Sequence, residues 1–316
     1  MALRAFCERK EEVKKDTISF SFCISDNYAQ HLSVVLASML VNNPDEDFVF
    51  HVVHHSVTPA SEAKLRELET LYPRHRIVFH KIDEAEFADL PLPSTCSHIT
   101  REAYYRLILP RLLPSEPRTI YSDVDVLCLG KIRPLWETDL GGNLVAAISE
   151  HRSSRSHRER MRELGMSEDA DYACSGLLVM DLDRLRAENA VPKFFATAMR
   201  LADKLVFADQ DVLNVVCDKR IKILPDEFHC SRRYSPFARD PVMWHFKCQT
   251  QKPWCCLWKN ITWWPYAKYL RLTPYRDNLA KLVWSHLKGF FWFSYVKNRR
   301  RRWLCCGIRV WRRKET

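Results

Sequence analysis

Short apolar runs alternate with helix-forming segments over the first two-thirds of the chain, and this alternation constrains the fold more than any other feature. Apolar runs at 17–25, 48–56 and 76–82 predict the first three strands. Strands that alternate with helices pair into a mostly parallel sheet covered on both faces. We therefore expect an α/β fold. Three later strands are predicted at 144–149, 176–182 and 220–224.

Helices are predicted between these strands. One lies near His31 to Leu40, and another runs through AKLRELETLY behind Thr58 as N-cap and Pro59 at the first helical position. The segment ITREAYYRLILPRLL predicts a further helix. In proteins with a mostly parallel sheet, ligands bind beyond the carboxyl ends of the strands. The first strand is followed there by Ser25, Asp26 and Asn27.

The stretch IYSDVDVLCL, residues 120–129, carries two acids inside an apolar run that predicts a buried strand. Positions two apart on a strand share a face and lie about 7 Å apart. Asp123 and Asp125 therefore form a pair of like charges, and a cation between them would relieve their repulsion. The alternative is a solvated strand end that carries the two acids by chance.

Further polar residues fit such a cation site and an anionic ligand. His245 is a candidate third ligand, and Lys252 a candidate partner for a phosphate. Aspartates with a histidine suit Mn²⁺ or Mg²⁺. Arg106 would either reach a diphosphate or hold a carboxylate in a buried pair. The segment FADQDVLN adds Asp209, Gln210 and Asp211, whose alternative role is to cap a helix.

The net charge of +10 is concentrated at the carboxyl end, where residues 288–316 hold nine of the ten net positive charges. The chain from 275 onward is predicted to be helical, with an apolar stretch shorter than the roughly 20 residues that a spanning helix needs. Aromatic residues among dense Lys and Arg favour binding to an anionic lipid surface. A nucleic-acid-binding tail is the alternative, and the apolar residues Leu287, Phe290 and Phe291 argue against it.

The first sixteen residues have too little apolar length before their charges for a signal peptide, which predicts a cytoplasmic protein. Together with the basic, aromatic tail, this predicts a peripheral location on the inner face of the membrane. The twelve cysteines are then expected to be reduced thiols. The expected organisation is an extension at 1–16, a catalytic domain at 17–254 and an aromatic, basic, membrane-associating region at 255–316.

Six segments in order resemble glycosyltransferase family 8, the retaining nucleotide-sugar transferases of GT-A (Rossmann-like) fold that include bacterial lipopolysaccharide galactosyl- and glucosyltransferases. They are ISDNYAQHLSVVLASML, AYYRLILP, IYSDVDVLCLGKIRPLWETDL, CSGLLVMDLDRLR, ADQDVLN and HFKCQTQKPW. The resemblance runs from about residue 17 to 254. It implies transfer of glucose or galactose from UDP-glucose or UDP-galactose to a glycan. The membrane-anchored lipopolysaccharide core is the expected acceptor, and another glycan, a glycolipid or a protein is the alternative.

The resemblance also implies a role for each matching residue. Asp123, Asp125 and His245 would hold Mn²⁺ or Mg²⁺; Asp26, Asn27 and Tyr28 would contact the nucleotide and Lys252 the phosphates; Arg106 and Asp209 would orient the donor sugar, with Gln210 beside its anomeric carbon; Glu150, Cys174 and Ser175 would face the acceptor. Cys174 stands where the family commonly has Asn, and Cys248 and Gln249 replace the usual glycine.

Two other interpretations of these residues remain open from the sequence. One is a noncatalytic binder of sugar or nucleotide that uses the basic tail for a partner. The other is a zinc module built from His245, Cys248, Cys255 and Cys256, although adjacent cysteines do not match the usual paired spacing of zinc sites.

Overall fold

The computed structural model describes residues 17–93, 99–150, 155–230, 241–247, 252–255, 263–291, 293–296, 300–305 and 308–314. The strands are β1 Ile18–Cys23, β2 Phe48–His54, β3 His75–Lys81, β4 Arg118–Ser122, β5 Val126–Cys128, β6 Val145–Ala147, β7 Leu177–Asp181, β8 Ile221–Ile223, β9 His229–Cys230, β10 Met243–His245, β11 Phe293–Val296, β12 Arg300–Cys305 and β13 Ile308–Lys314.

The α-helices are α1 Ala29–Asn42, α2 Pro59–Leu71, α3 Leu109–Leu112, α4 Arg133–Trp136, α5 Arg155–Leu164, α6 Leu182–Ala187, α7 Ala190–Arg200, α8 Asp209–Val216, α9 Trp263–Leu270 and α10 Leu279–Phe291. Much of the helix predicted from ITREAYYRLILPRLL is a 3₁₀ helix, Arg101–Ile108, which leads directly into α3. Among the described residues, no helix combines the length and the apolarity that crossing a membrane requires.

Seven strands form the main sheet in the order β3-β2-β1-β4-β7-β6-β8. All neighbouring pairs are parallel except the two that include β7, which runs antiparallel to both β4 and β6. The predicted mostly parallel mixed sheet flanked by helices is therefore confirmed. Because β7 is reversed, its first residues meet the carboxyl ends of β1 and β4, where ligands bind in sheets of this kind.

The central strand β1 shows why the sheet is covered on both faces. Ile18, Phe20 and Phe22 are fully buried, and so are Ser19 and Ser21 on the opposite face. The two serine hydroxyls lie 3.1 Å and 2.8 Å from Oγ1 of Thr119 on β4, so each buried hydroxyl has a partner. Strands buried on both faces are typical of parallel sheets.

The run at residues 120–129 is two strands rather than one, which corrects the sequence prediction. β4 ends at Ser122, the chain bends at 123–125, and β5 belongs to a second sheet of order β5-β10-β9. In that sheet β5 pairs antiparallel with β10, with Val126 opposite His245. The two acids therefore lie at the junction of two sheets, and their proximity does not come from strand alternation.

The helices α9 and α10 pack on α1 and the small sheet. Val34, Leu127 and Phe246 share one buried cluster with Tyr266 and Leu282 from these helices. The tyrosines add polar contacts, since Tyr266 Oη lies 2.7 Å from His31 Nδ1 and Tyr269 Oη accepts a 2.8 Å hydrogen bond from Asn42.

The predicted helical character of the basic appendage holds only as far as Phe291. Beyond it, β11, β12 and β13 form a three-stranded antiparallel sheet, so the prediction of helix for these residues is wrong. The Ile, Val and Trp residues among the arginines have a high β propensity, which is the physical reason for strands here.

Candidate functional site

A cavity of about 440 Å³ opens beyond the carboxyl ends of β1 and β4 and the first residues of β7. It gathers residues that lie far apart in the sequence. Eleven of the thirteen residues predicted for the site line it: Tyr28, Arg106, Asp123, Asp125, Glu150, Cys174, Ser175, Asp209, Gln210, His245 and Lys252.

Asp123, Asp125 and His245 form a cluster whose candidate ligand atoms all lie within 4.8 Å of one another. His245 Nε2 lies 3.1 Å from Asp125 Oδ1 and 3.7 Å from Asp123 Oδ2. Two carboxylates and an imidazole suit a hard to borderline divalent cation such as Mn²⁺. Of the alternative zinc set, Cys248 and Cys256 lie outside the described residues.

Local backbone pairing places these ligands. The Phe246 amide donates a 2.9 Å hydrogen bond to the Asp125 carbonyl, which extends the β5–β10 pairing to the bend. The Asp123 amide donates to the Gly176 carbonyl at 2.9 Å. The ligands are thus fixed by main-chain bonds to two different sheets.

Gly176 leaves no room for a side chain. A Cβ at this position would lie 2.6 Å from His245 Cε1 and 2.8 Å from Asp123 Oδ2. Both distances are shorter than van der Waals contact, so only glycine lets β7 pass this close to the cluster. The sequence analysis did not single out this glycine, although it stands inside the CSGLLVMDLDRLR segment.

Arg106 holds carboxylates rather than projecting freely toward a ligand. Its guanidinium lies 3.1 Å from Asp123 Oδ1 through Nη2 and 3.1 Å from Asp209 Oδ2 through Nε. It also donates to the Ser175 carbonyl at 2.7 Å and stacks over the ring of Tyr121 at 4.3 Å. Of the two roles left open by the sequence, the structure shows the buried pair.

Tyr121 is a site residue that the sequence analysis missed. Its hydroxyl donates a 2.8 Å hydrogen bond to Asp123 Oδ1, and it lines the cavity. Two buried donors, Tyr121 and Arg106, therefore fix the Asp123 carboxylate. The position of the tyrosine two residues before Asp123, within the same predicted strand, was the available signal.

The three polar residues at the start of α8 separate into different environments. Burial raises the pKa of Asp209 to about 6 even though Arg106 favours its charged form. Gln210 Oε1 accepts a 3.0 Å hydrogen bond from the Ser175 amide. Asp211 instead accepts bonds from Arg160 and Tyr172, at 2.5 Å and 2.6 Å, and is a buried structural residue.

Lys252 pairs with Asp125 at the edge of the cation cluster. Its burial lowers the pKa of the ammonium group to about 8. The neighbouring Trp254 stacks on His31 of α1, with ring centroids 3.6 Å apart. A lysine fixed beside a candidate cation site places positive charge where a diphosphate would bind.

Glu150 and Cys174 lie on the cavity wall together with Lys247, which the sequence analysis missed. Lys247 Nζ lies 2.6 Å from Glu150 Oε1. Burial alone would lower the pKa of Lys247, but the neighbouring Cys174 and Glu150 raise it above its usual value. A basic residue two positions after His245 was the only sequence signal for it.

Asp26 and Asn27 are the two predicted site residues that the structure does not bring to the cavity wall. Asp26 Oδ1 accepts from the amide and hydroxyl of Thr58 at 2.8 Å and 3.0 Å, and the Thr58 amide lowers the pKa of this carboxyl. Asn27 Oδ1 accepts from the Ser25 hydroxyl at 2.6 Å. Ser25 and Tyr28 line the cavity in their place.

Known proteins are similar to this chain over most of its length. The profile of the family described as Glycosyl transferase family 8 matches residues 19–256. General stress protein A of Bacillus subtilis is 28% identical over 310 residues, covering 92% of this chain and 96% of its own. The lipopolysaccharide 1,2-glucosyltransferase of Escherichia coli is 24% identical, covering 88% of this chain and 90% of its own.

A solved structure shows the same architecture. The galactosyltransferase LgtC, determined in complex with donor and acceptor sugar analogues, superimposes with a TM-score of 0.67 and 25% identity. The match covers 81% of this chain and 95% of that chain. The fold predicted from strand and helix alternation therefore has a counterpart in a crystal structure.

Proposed function

The chain belongs to glycosyltransferase family 8, and from this premise we propose that it transfers glucose or galactose from a UDP-sugar to a glycan acceptor with retention of configuration. The observation that carries the proposal is the meeting of the cation cluster, Lys252 and the Arg106–Asp209 pair in one cavity. A departing diphosphate requires positive charge, which Lys252 together with a cation held by the cluster would supply.

Asp123, Asp125 and His245 would hold the divalent cation, which would supply Lewis-acid stabilisation of the leaving diphosphate. Lys252 would add the positive charge of its ammonium group to that of the cation. Arg106 lies between Asp123 and Asp209, and it would keep the Asp209 carboxylate oriented toward the donor sugar.

The group transfer follows from the same arrangement. The acceptor hydroxyl attacks the anomeric carbon from the face that the diphosphate leaves, the carbon–phosphate oxygen bond breaks, and the hydroxyl proton passes to the departing phosphate oxygen. A double displacement would need a free nucleophile. Pairing with Arg106 makes Asp209 a poor one, and Gln210 is a neutral amide held by the Ser175 amide, which supports the direct route.

A donor screen tests this function. We expect the protein with Mn²⁺ to release UDP from UDP-glucose or UDP-galactose, and the release to stop when EDTA removes the cation. UDP-N-acetylglucosamine, UDP-N-acetylgalactosamine and GDP-mannose serve as control donors, and liberated nucleoside diphosphate is the measurement. No UDP release from either hexose donor, with Mn²⁺ or Mg²⁺, would refute the proposal.

We further propose that the acceptor lies at a membrane, as a lipopolysaccharide core does, and that the chain works at the cytoplasmic face. Two relatives are named lipopolysaccharide glucosyl- and galactosyltransferases. Trp264, Trp284 and Leu287 are exposed by 71%, 59% and 47%, on the helices that precede the basic segment. Exposed aromatics beside dense positive charge suit an anionic lipid surface.

Deleting residues 293–316 is expected to release the protein from vesicles that contain anionic lipid, because most of its net charge lies there. Co-sedimentation with vesicles of phosphatidylglycerol and phosphatidylcholine measures the change, and pure phosphatidylcholine vesicles are the control. The truncated protein should still release UDP from its donor. Equal sedimentation of both forms would contradict the membrane proposal.

A further inference from the structure

We propose that His286 on α10 is a positioning residue of the donor site, because it holds the backbone at Pro253 and so fixes where Lys252 reaches. The inference rests on the proposed function and adds a residue from the carboxyl-terminal helices to the machinery of the donor site. It is carried by a chain of contacts from α10 to the cation cluster.

The first contact in this chain is a single hydrogen bond. His286 Nε2 lies 2.7 Å from the Pro253 carbonyl oxygen. A carbonyl only accepts, so Nε2 must carry the proton. Burial lowers the pKa of His286, which favours the neutral ring with this one N–H, and Nδ1 has no hydrogen-bond partner among the described residues.

Within the part of the chain that the structure describes, the ring of His286 makes no other hydrogen bond that would account for a histidine in an apolar place. It is buried, 7% exposed, and stacks on the ring of Trp263 with centroids 5.2 Å apart. Phenylalanine would fill this space and stack equally well without leaving an unpaired Nδ1. The hydrogen bond to Pro253 is therefore the property that distinguishes histidine here.

The held segment is the turn that carries Lys252. The Cys255 amide donates to the Lys252 carbonyl at 2.8 Å across Pro253, and Trp254 stacks on His31 of α1. The turn is thus fixed on one side by α1 and on the other by α10. A lysine side chain is long and flexible, so the place of its backbone decides which acceptors its ammonium group reaches.

The helix α10 is itself firmly placed. Leu282, one turn before His286, is buried in the cluster that contains Phe246, the residue after His245. Tyr266 of α9 joins the same cluster and contacts His31. The fixed point that positions Lys252 is therefore tied to the strand that carries the third candidate ligand, so both parts of the donor site share one support.

The test measures binding of UDP in the presence of Mn²⁺ by calorimetry. His286→Phe, which keeps the stacked ring and loses the donor, is expected to weaken UDP binding roughly five- to tenfold, as loss of one neutral hydrogen bond implies. His286→Gln, whose amide can donate to the same carbonyl, should recover most of the parental affinity. Ser285→Ala is the matched control and should bind like the parent, because the Ser285 hydroxyl, on the same helix, donates to the Lys281 carbonyl of its own helix.

A double-mutant cycle separates positioning from a general loss of structure. Lys252→Met should weaken UDP binding, and adding His286→Phe should cause no further loss, because the lysine that His286 positions is already gone. If His286→Phe fails to fold, His286→Asn, whose amide is too short to reach Pro253, takes its place in the cycle.

The outcomes discriminate between the inference and the function on which it rests. Parental UDP affinity in His286→Phe, or an additive loss in the double variant, would overturn the positioning role alone. Absence of UDP binding by the parent would overturn the proposed function together with this inference.

Discussion

Gly176→Ala is expected to reduce kcat/KM for UDP-sugar hydrolysis at least a hundredfold while the protein remains folded. The added Cβ would lie 2.6 Å from His245 Cε1 and 2.8 Å from Asp123 Oδ2, so one or both candidate ligands must move. Asp123 is held by Tyr121 and Arg106, which leaves His245 to yield. A displacement of about 1 Å in a catalytic site costs on the order of a hundredfold in rate.

The measurements are Mn²⁺ affinity and steady-state kinetics. Gly165→Ala is the matched control: its φ of 73° makes alanine strained, but nothing lies within 4 Å of the new Cβ. It should cost about 1 kcal/mol of stability and leave Mn²⁺ affinity unchanged. Parental Mn²⁺ affinity and turnover in Gly176→Ala would show that the close approach of β7 has no functional role.

Asp125→Asn is expected to abolish Mn²⁺-dependent release of UDP, with a loss of at least a thousandfold. Asparagine keeps the volume, but it removes the charge that faces both His245 and Lys252. A neutral amide is a weak ligand for Mn²⁺, and the ammonium group of Lys252 is left without this counter-charge. Cation affinity and UDP release should therefore fall together.

Calorimetric titration with Mn²⁺ and the UDP-release assay give the two readouts. Asp203→Asn serves as the control, because Asp203 is an exposed acid outside the cavity. An Asp125→Asn variant indistinguishable from the parent in both assays would remove the basis for a cation-dependent transferase.

The strands at the start of the chain were predictable because their apolar sequences leave little choice of secondary structure. Runs such as FVFHVVH are apolar at nearly every position, and β2 is buried along its whole length. The direction of β7 was not predictable. LLVMD is equally apolar in either orientation, and strand direction depends on where the intervening helices pack rather than on the strand itself.

The bend at Asp123 is a second feature that the sequence did not predict. An apolar run with two acids gives the same pattern whether it is one strand or the ends of two strands in different sheets. The prediction that the acids meet a cation did not depend on this choice, because the bend also brings them together with His245. The pairing of β5 with β10, which creates the bend, is a contact between distant segments.

The residues that sequence analysis missed share this property. Gly176 and Lys247 have roles only through His245 and Glu150, which are distant in the sequence. Tyr121 contacts the nearby Asp123, but its ring also stacks under Arg106 from another segment. The carboxyl-terminal strands were missed for another reason. Arginines interspersed with Trp, Ile and Val fit a helical period and a strand period about equally well, so the hydrophobic period did not decide between them.

The pairing of β5 with β10 has a consequence for how the chain folds. It brings together distant segments, as the sequence separation of 127 between Asp125, just before β5, and Lys252, a few residues after β10, illustrates. Contacts at such separation form late, since the entropy of closing a long loop is lost before the contact repays it. The cavity is therefore completed only when these distant segments have met, and a cation bound by Asp123, Asp125 and His245 would stabilise that pairing.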